Sequence, residues 1–260
     1  MIGAPKIRLS DTPIANPARA FAYALGAMFH VTARLPVDAL PPGEGFGPKI
    51  LARDWGITDT DTLVAQLNQL GFAGHRQDHV ERVRYYTMMF RPAVAARREE
   101  LRDIIRESGD RAEAASQDLW LLNAVQADMP GLRSAPLLAF DAGRAVMLTR
   151  EGLCNGWLQD DAAWAYLLDL AREVQATFGS WEEYGADFLL GRKVWKGQDS
   201  AELFDRVIPD LLSAPNSPWV RLPWGVPDLT IPGPVATAAK GAPNWSLEEP
   251  AWILPSLRTP

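Results

Sequence analysis

The chain has 260 residues, 47% of them hydrophobic and 22% charged, with a net charge of −6. That is ample for a full hydrophobic core and ordinary for a globular protein. The acidic balance gives nucleic-acid binding no electrostatic support, and the single cysteine, Cys154, excludes an intrachain disulfide.

Residues 1–16 are polar and proline-spaced, and read as an irregular N-terminal arm. Asn16-Pro17 is a cap residue followed by proline in a first turn, so a helix is expected from Pro17 to Ala33. Phe21, Leu25, Met28 and Phe29 share one of its sides. Its most apolar stretch, Ala20 to Val31, falls well short of the roughly 20 residues a membrane span requires. No segment reads as a signal or a span, so the expectation is a cytoplasmic protein without a membrane partner. Pro36, Pro41 and Pro42, with glycines nearby, predict a loop through Gly47.

Trp55-Gly56-Ile57-Thr58 leads into a helix from Asp59 to Leu70, with Leu63, Leu67 and Leu70 inward. Thr58 is the expected cap and Asp61 supplies an acidic first turn. Gly71 and Gly74 end it. His75 and His79 have the spacing of two metal ligands, but no acidic residue follows His75 directly, so the zinc-protease pattern fails. No metal and no cofactor is expected, because no phosphate loop, Gly-x-Gly-x-x-Gly or Gly-x-Ser-x-Gly occurs.

Val80 to Ser108 predicts one or two helices whose arginines alternate with acids, a solvated face of internal ion pairs. Arg111 to Ala127 is a further helix, followed by a turn at Met129-Pro130-Gly131. Leu137 to Glu151 is helical, with a break from Gly152 to Gly156. A strong helix runs from Ala162 to Phe178, its buried stripe marked by Trp164, Leu167, Leu168, Ala171 and Val174. Trp181 to Leu190 is the next, closed by Gly191. The last spans Ser200 to Leu212, kinked or shortened at Pro209. Cys154, beside apolar residues, reads as a small buried side chain. The fold class is mainly α: one multi-helix domain over 17–225 and an extended C-terminal arm, 226–260, rich in proline and tryptophan. That arm is expected to pack on the body, because tryptophan is costly to leave in water. Val220 to Leu222 and Trp252 to Leu254 are candidate short strand edges.

The densest polar constellation is Asp141, Arg144 and Arg150, then Glu182, Glu183, Asp187 and Arg192. Helical spacing puts Asp141 with Arg144, and Glu183 with Asp187, on shared faces. Such a cluster can hold an anionic ligand, share a proton or bind a metal. It can equally be scaffolding, with Ser180 capping a helix and Glu182 and Glu183 in its first turn against the macrodipole. Sequence leaves both readings open.

The same residues carry a resemblance. Phe140-Asp141-x-Gly143-Arg144-Ala145-Val146-x-Leu148-x-Arg150, Gly156-Trp157-Leu158 and Ala163-Trp164 form its first half. Thr177-Phe178-x-Ser180-Trp181-Glu182-Glu183-Tyr184-Gly185 and Phe188-Leu189-x-Gly191-Arg192-x-x-Trp195 form its second. Upstream stand Trp55-Gly56-Ile57 and Gly74-His75-Arg76; downstream, Ser217-Pro218-Trp219-x-x-Leu222-Pro223-Trp224. The pattern resembles bacterial domain-of-unknown-function family 1266, the YbeU-like proteins, over roughly 20–225. The resemblance implies an all-helical fold and transfers no catalytic residue. Two functions are expected from different classes. One is a protein-binding or accessory module, such as an immunity protein linked to a toxin or secretion system. The other is an enzyme or small-ligand binder using the charged cluster around 141–192.

Overall fold

Twelve helices run through the computed structural model, which describes residues 6–40, 45–72, 74, 76–196 and 202–226. Among the described residues no strand forms, and one isolated bridge joins Arg8 to Pro36. The expected helix over Pro17–Ala33 is divided into α1 (Pro17–Ala24) and α2 (Ala27–Thr32). Asn16 caps α1 as its type predicts, its Oδ1 accepting the Arg19 N–H at 3.0 Å. The division falls at Gly26, where a Cβ would lie 2.6 Å from the Val146 side chain. A neighbouring helix comes too close there for any side chain.

Helix α3 (Pro48–Trp55) follows, unannounced by the sequence pattern. It is short and bracketed by Gly47 and Gly56, with φ of 77° and 66°. Only glycine adopts such angles freely. Leu51 is its buried anchor. In α4 (Thr60–Phe72) the cap is Asp59, not Thr58. Asp59 Oδ1 accepts the Thr62 N–H at 2.9 Å, and Thr62 Oγ1 accepts the Asp59 N–H at 3.1 Å, a reciprocal capping box shifted by one residue. The helix runs through Gly71 to Phe72, and the chain turns at Gly74, whose φ is +52°.

Helices α5 (Arg76–Met88), α6 (Arg91–Arg106) and α7 (Ala112–Gln126) close on a small apolar cluster of their own, including Leu101, Leu121, Leu122 and Val125. The outer face of α6 carries the expected ion pairs, Arg102 with Glu99 at 2.5 Å and Arg106 with Asp103. Exposed pairs of this kind contribute little to stability.

The main core is built round α8 (Leu138–Cys154), which packs against α4, α9 (Asp160–Thr177) and α10 (Trp181–Lys196). Fifteen of its seventeen residues are buried. A helix buried on every side belongs at the centre of a domain. Two glycines expected to break helices sit inside them instead. Gly152 lies within α8 because Leu63 and Leu158 press against the place a Cβ would occupy. Gly191 lies within α10, where a Cβ would stand 2.7 Å from Phe140 Cβ. Both glycines serve close packing, and both helices continue past them. Cys154, expected to be buried, is half-buried at the C-terminal end of α8.

Helix α11 (Glu202–Ser213) is not shortened at Pro209, which lies within it. The candidate edge at Val220–Leu222 is instead part of α12 (Pro218–Arg221) and its exit. Ser217 caps that turn, its Oγ accepting the Trp219 N–H at 3.1 Å, and Pro218 fits the first helical position. Trp219 and Trp224 fold back onto the body. Their indole N–H groups donate to the Ala24 carbonyl at 2.9 Å and the Phe178 carbonyl at 2.8 Å. The remaining expected arm, 227–260, with Trp245 and the candidate edge at Trp252–Leu254, lies outside the described residues.

Candidate functional site

Helix α8 brings four charged side chains into the interior, and they divide into two groups. Asp141 and Arg144, one turn apart, form an ion pair with almost no exposure. Arg76, at the start of α5, approaches from the other side. Its Nη1 lies 3.9 Å from Asp141 Oδ2, while its Nη2 donates to the Gly71 carbonyl at 2.5 Å. Gly74 rests directly on the Asp141 carboxylate, where any Cβ would collide with it. Asp141 thus ties the α4–α5 turn to the central helix.

Asp187 joins this group from α10. Its Oδ1 and Oδ2 accept the backbone N–H groups of Leu137 and Ala139, each at 2.9 Å. It therefore caps α8 from a neighbouring helix. Burial raises its pKa to about 6, against the two N–H groups that lower it; nearby Asp141 raises it further.

Arg150 belongs to the second group, one and a half turns further along α8. Its Nη1 lies 2.6 Å from Glu151 Oε1, and both side chains are 1% exposed. Glu151 Oε2 accepts the Phe46 N–H at 2.6 Å and so pins the segment entering α3. Burial raises the Glu151 pKa, with Phe46 and Arg150 opposing. Tyr23 and His30 stack beside this group, ring centroids 4.3 Å apart. Burial, reinforced by the Arg150 charge, lowers the His30 pKa to about 3, so the ring is neutral.

Glu182 and Glu183 are in neither group. Both are exposed in the first turn of α10. Ser180 Oγ accepts the Glu183 N–H at 3.2 Å, and Glu183 Oε2 accepts the Gly179 N–H at 2.7 Å. Glu183 and Asp187 occupy successive turns, but one faces water and the other faces the core. His79 is buried, hydrogen-bonded at 3.1 Å between Nε2 and the Leu132 carbonyl; His75 lies outside the described residues.

Arg192 opens onto a cleft of about 340 Å³ and shares it with Arg144. Ile50, Asp54 and Trp55 of α3 line it with Phe46, as do Phe140 and Met147 of α8 and Trp195 of α10. The arginines are held by helical spacing. Arg144, four residues after Phe140, sits over that ring at 4.3 Å, and Arg192, three residues before Trp195, sits 5.1 Å from its ring. Burial lowers the pKa of both guanidinium groups, and Arg144 lowers that of Arg192 further by like charge. An arginine keeps its proton nonetheless. The cleft is therefore lined by aromatic rings, with two guanidinium groups and the Asp54 carboxylate also on it.

The structure thus gathers Asp141, Arg144, Asp187 and Arg192 into one region, sets Arg150 in a second, and leaves Glu182 and Glu183 on the surface. The cleft's α3 wall escaped sequence reasoning because α3 carries no long periodic pattern. The spacings Phe140-x-x-x-Arg144 and Arg192-x-x-Trp195 were the available signal.

These features define a mainly helical protein with a charged central helix and an arginine–aromatic cleft beside it. The chain belongs to the family described as "Protein of unknown function (DUF1266)", whose model matches residues 50–224. A relative, the uncharacterized protein YbeR of Escherichia coli (strain K12), is 24% identical over 153 residues, which is 59% of this chain and 60% of YbeR. The matched region thus spans less than two thirds of that relative. No solved structure matches. Among the described residues, no helix is long and apolar enough to cross a membrane.

Proposed function

We propose that this protein is a small-ligand-binding module whose site is the cleft between α3, α8 and α10. The observation that carries this reading is convergence. Trp55, Phe140, Arg144, Arg192 and Trp195 come from three separate stretches of the family motif, and all five line one cleft. A volume of about 340 Å³ suits a small molecule, and apolar walls with a few polar groups are the usual composition of such sites. A fragment screen followed by indole N–H shifts tests it. Binders should move the Trp55 and Trp195 signals together. A screen whose hits leave both signals still would refute the reading.

A second reading, a protein-binding accessory module of the immunity type, is favoured by a different surface. Val80, Tyr85, Met88 and Phe90 are 60 to 74% exposed, the most exposed large apolar side chains among the described residues. They lie close together in sequence on α5 and just beyond it, and a contiguous apolar patch there would mark an interaction surface. A pull-down from native lysate, comparing wild type with Met88→Glu and Phe90→Glu, tests it. A partner lost in both variants supports docking there, and an unchanged set of partners removes it. A bacterial cytoplasmic setting is part of both readings, supported by the E. coli relative and by a sequence with one cysteine.

A further inference from the structure

We propose that a second pocket, between the N-terminal segment, α1 and α9, binds a small zwitterion of the amino-acid class. Arg19 takes its carboxylate and Asp160 its ammonium group. This pocket shares no lining residue with the cleft of α3, α8 and α10, so the inference goes beyond the ligand-binding reading and stands apart from it.

The pocket holds about 370 Å³. Part of its lining is the segment before α1, which is tied down at Asp38. The Ser10 N–H donates to Asp38 Oδ1 at 2.8 Å, and the Ile14 N–H donates to the Asp38 carbonyl at 2.8 Å. Ser10, Thr12 and Ile14 therefore reach the pocket from a fixed backbone. Helix α1 contributes Arg19, whose guanidinium lies over the Trp164 ring, 4.9 Å from its centroid. Helix α9 contributes Trp164 and, one turn before it on the same face, Asp160.

Arg19 and Asp160 thus line one space with opposite charges, yet no ion pair joins them. Among the described residues, neither pairs with any other charged side chain. A guanidinium resting on a ring keeps its N–H edges for an acceptor. An anion alone would meet the Asp160 carboxylate, and a cation alone would meet Arg19. A molecule carrying both charges satisfies both groups, through bonds stronger than neutral ones. Ile14, Leu40 and the Trp164 ring offer apolar contact to the rest of it. The volume suits a small molecule.

Titration of the isotope-labelled full chain with L-alanine, L-leucine and L-phenylalanine, followed at the Trp164 indole N–H, tests the inference. At least one of the three should move that signal. The amide and the N-acetyl derivative of the tightest binder each lack one charge, and each should bind about tenfold more weakly or worse. Arg19→Gln should weaken the amino acid about tenfold or more without weakening its amide. Asp160→Asn should weaken the amino acid without weakening its N-acetyl derivative. Arg19 is half-buried and Asp160 exposed, so both variants should melt as wild type does. Either derivative binding as tightly as its parent would overturn the zwitterion. A Trp164 signal unmoved by all three amino acids would remove the site, whatever happens at Trp55 and Trp195, so this inference and the cleft reading fail separately.

Discussion

Asp187 holds Leu137 in place across two helices: its carboxylate accepts the Leu137 N–H at 2.9 Å, at a residue whose φ is +51°. A leucine in the left-handed region costs about 1 kcal/mol. The second oxygen of the same carboxylate takes the Ala139 N–H. The start of the central helix is thus fixed by α10, not by its own sequence.

Removing that carboxylate leaves two buried N–H groups without their acceptor. Asp187→Ala should destabilise the fold by about 2–4 kcal/mol. Asp187→Asn keeps one acceptor oxygen and should cost about 1 kcal/mol at neutral pH. Urea denaturation of the three forms measures both. A neutral Asp187→Ala variant would show that the cap contributes nothing.

Asp187 also carries a pH dependence of definite sign. Its folded pKa, about 6, is raised above the unfolded value near 3.8 by burial. Its stabilising contribution is therefore full below about pH 4 and lost as pH rises through 6. The difference is at most roughly 3 kcal/mol. Asp187→Asn should remove this component, seen as a flatter stability profile between pH 4 and 7 relative to wild type.

His30 works in the opposite direction. Burial lowers its pKa from 6.5 to about 3, so the unfolded chain binds a proton that the folded chain refuses. Stability is lost as pH falls below 6.5, by about 2 kcal/mol at pH 5. His30→Phe keeps the stack on Tyr23 and removes the titration. That variant should lose less stability between pH 7 and pH 5 than wild type. Equal losses would sink the assignment.

Gly191→Ala sets local preference against packing. In a helix interior alanine is favoured over glycine by about 1 kcal/mol. Here the new Cβ would stand 2.7 Å from Phe140 Cβ, an atom fixed to the backbone of α8. Overpacking should win, with a net loss of about 1–3 kcal/mol in chemical denaturation. A stabilised variant would mean that α8 and α10 can move apart freely.

Trp219 ties the C-terminal segment to the body. It stacks on Trp181 at 5.1 Å and donates its indole N–H to the Ala24 carbonyl. Trp219→Ala should cost about 3–5 kcal/mol. Thermal unfolding followed by tryptophan fluorescence checks this.

Much of the helical architecture was legible because α9 and α10 announce themselves by spacing. Trp164, Leu167, Leu168, Ala171 and Val174 recur at helical intervals, and the structure buries all five. Glycine misled the reading in both directions. Gly152 and Gly191 looked like helix ends because propensity is local, whereas their role is set by Leu63, Leu158 and Phe140 from distant parts of the chain. Gly26, passed over in the sequence, marks a real break for the same reason. The charged cluster was visible as a set, but its partition was not. Helical spacing put Glu183 and Asp187 on one face, yet a single turn separates a water-facing cap from a buried one. Nothing in the sequence connects Asp187 with the N–H of Leu137, fifty residues upstream. The cleft required knowing where α3 lies, and that depends on the tertiary hold of Leu51, Phe46 and Glu151.

Helix α8 has no outward side, and that shapes how the gene can vary. A saturation library over 138–152 should show depletion at nearly every position, polar and apolar alike, without the three-and-four rhythm of tolerated sites seen in surface helices. Drift within the lineage is therefore channelled elsewhere, toward the outer turns of α6 and the rim of α3. Relatives that diverge widely in sequence should still be readable by this one stretch.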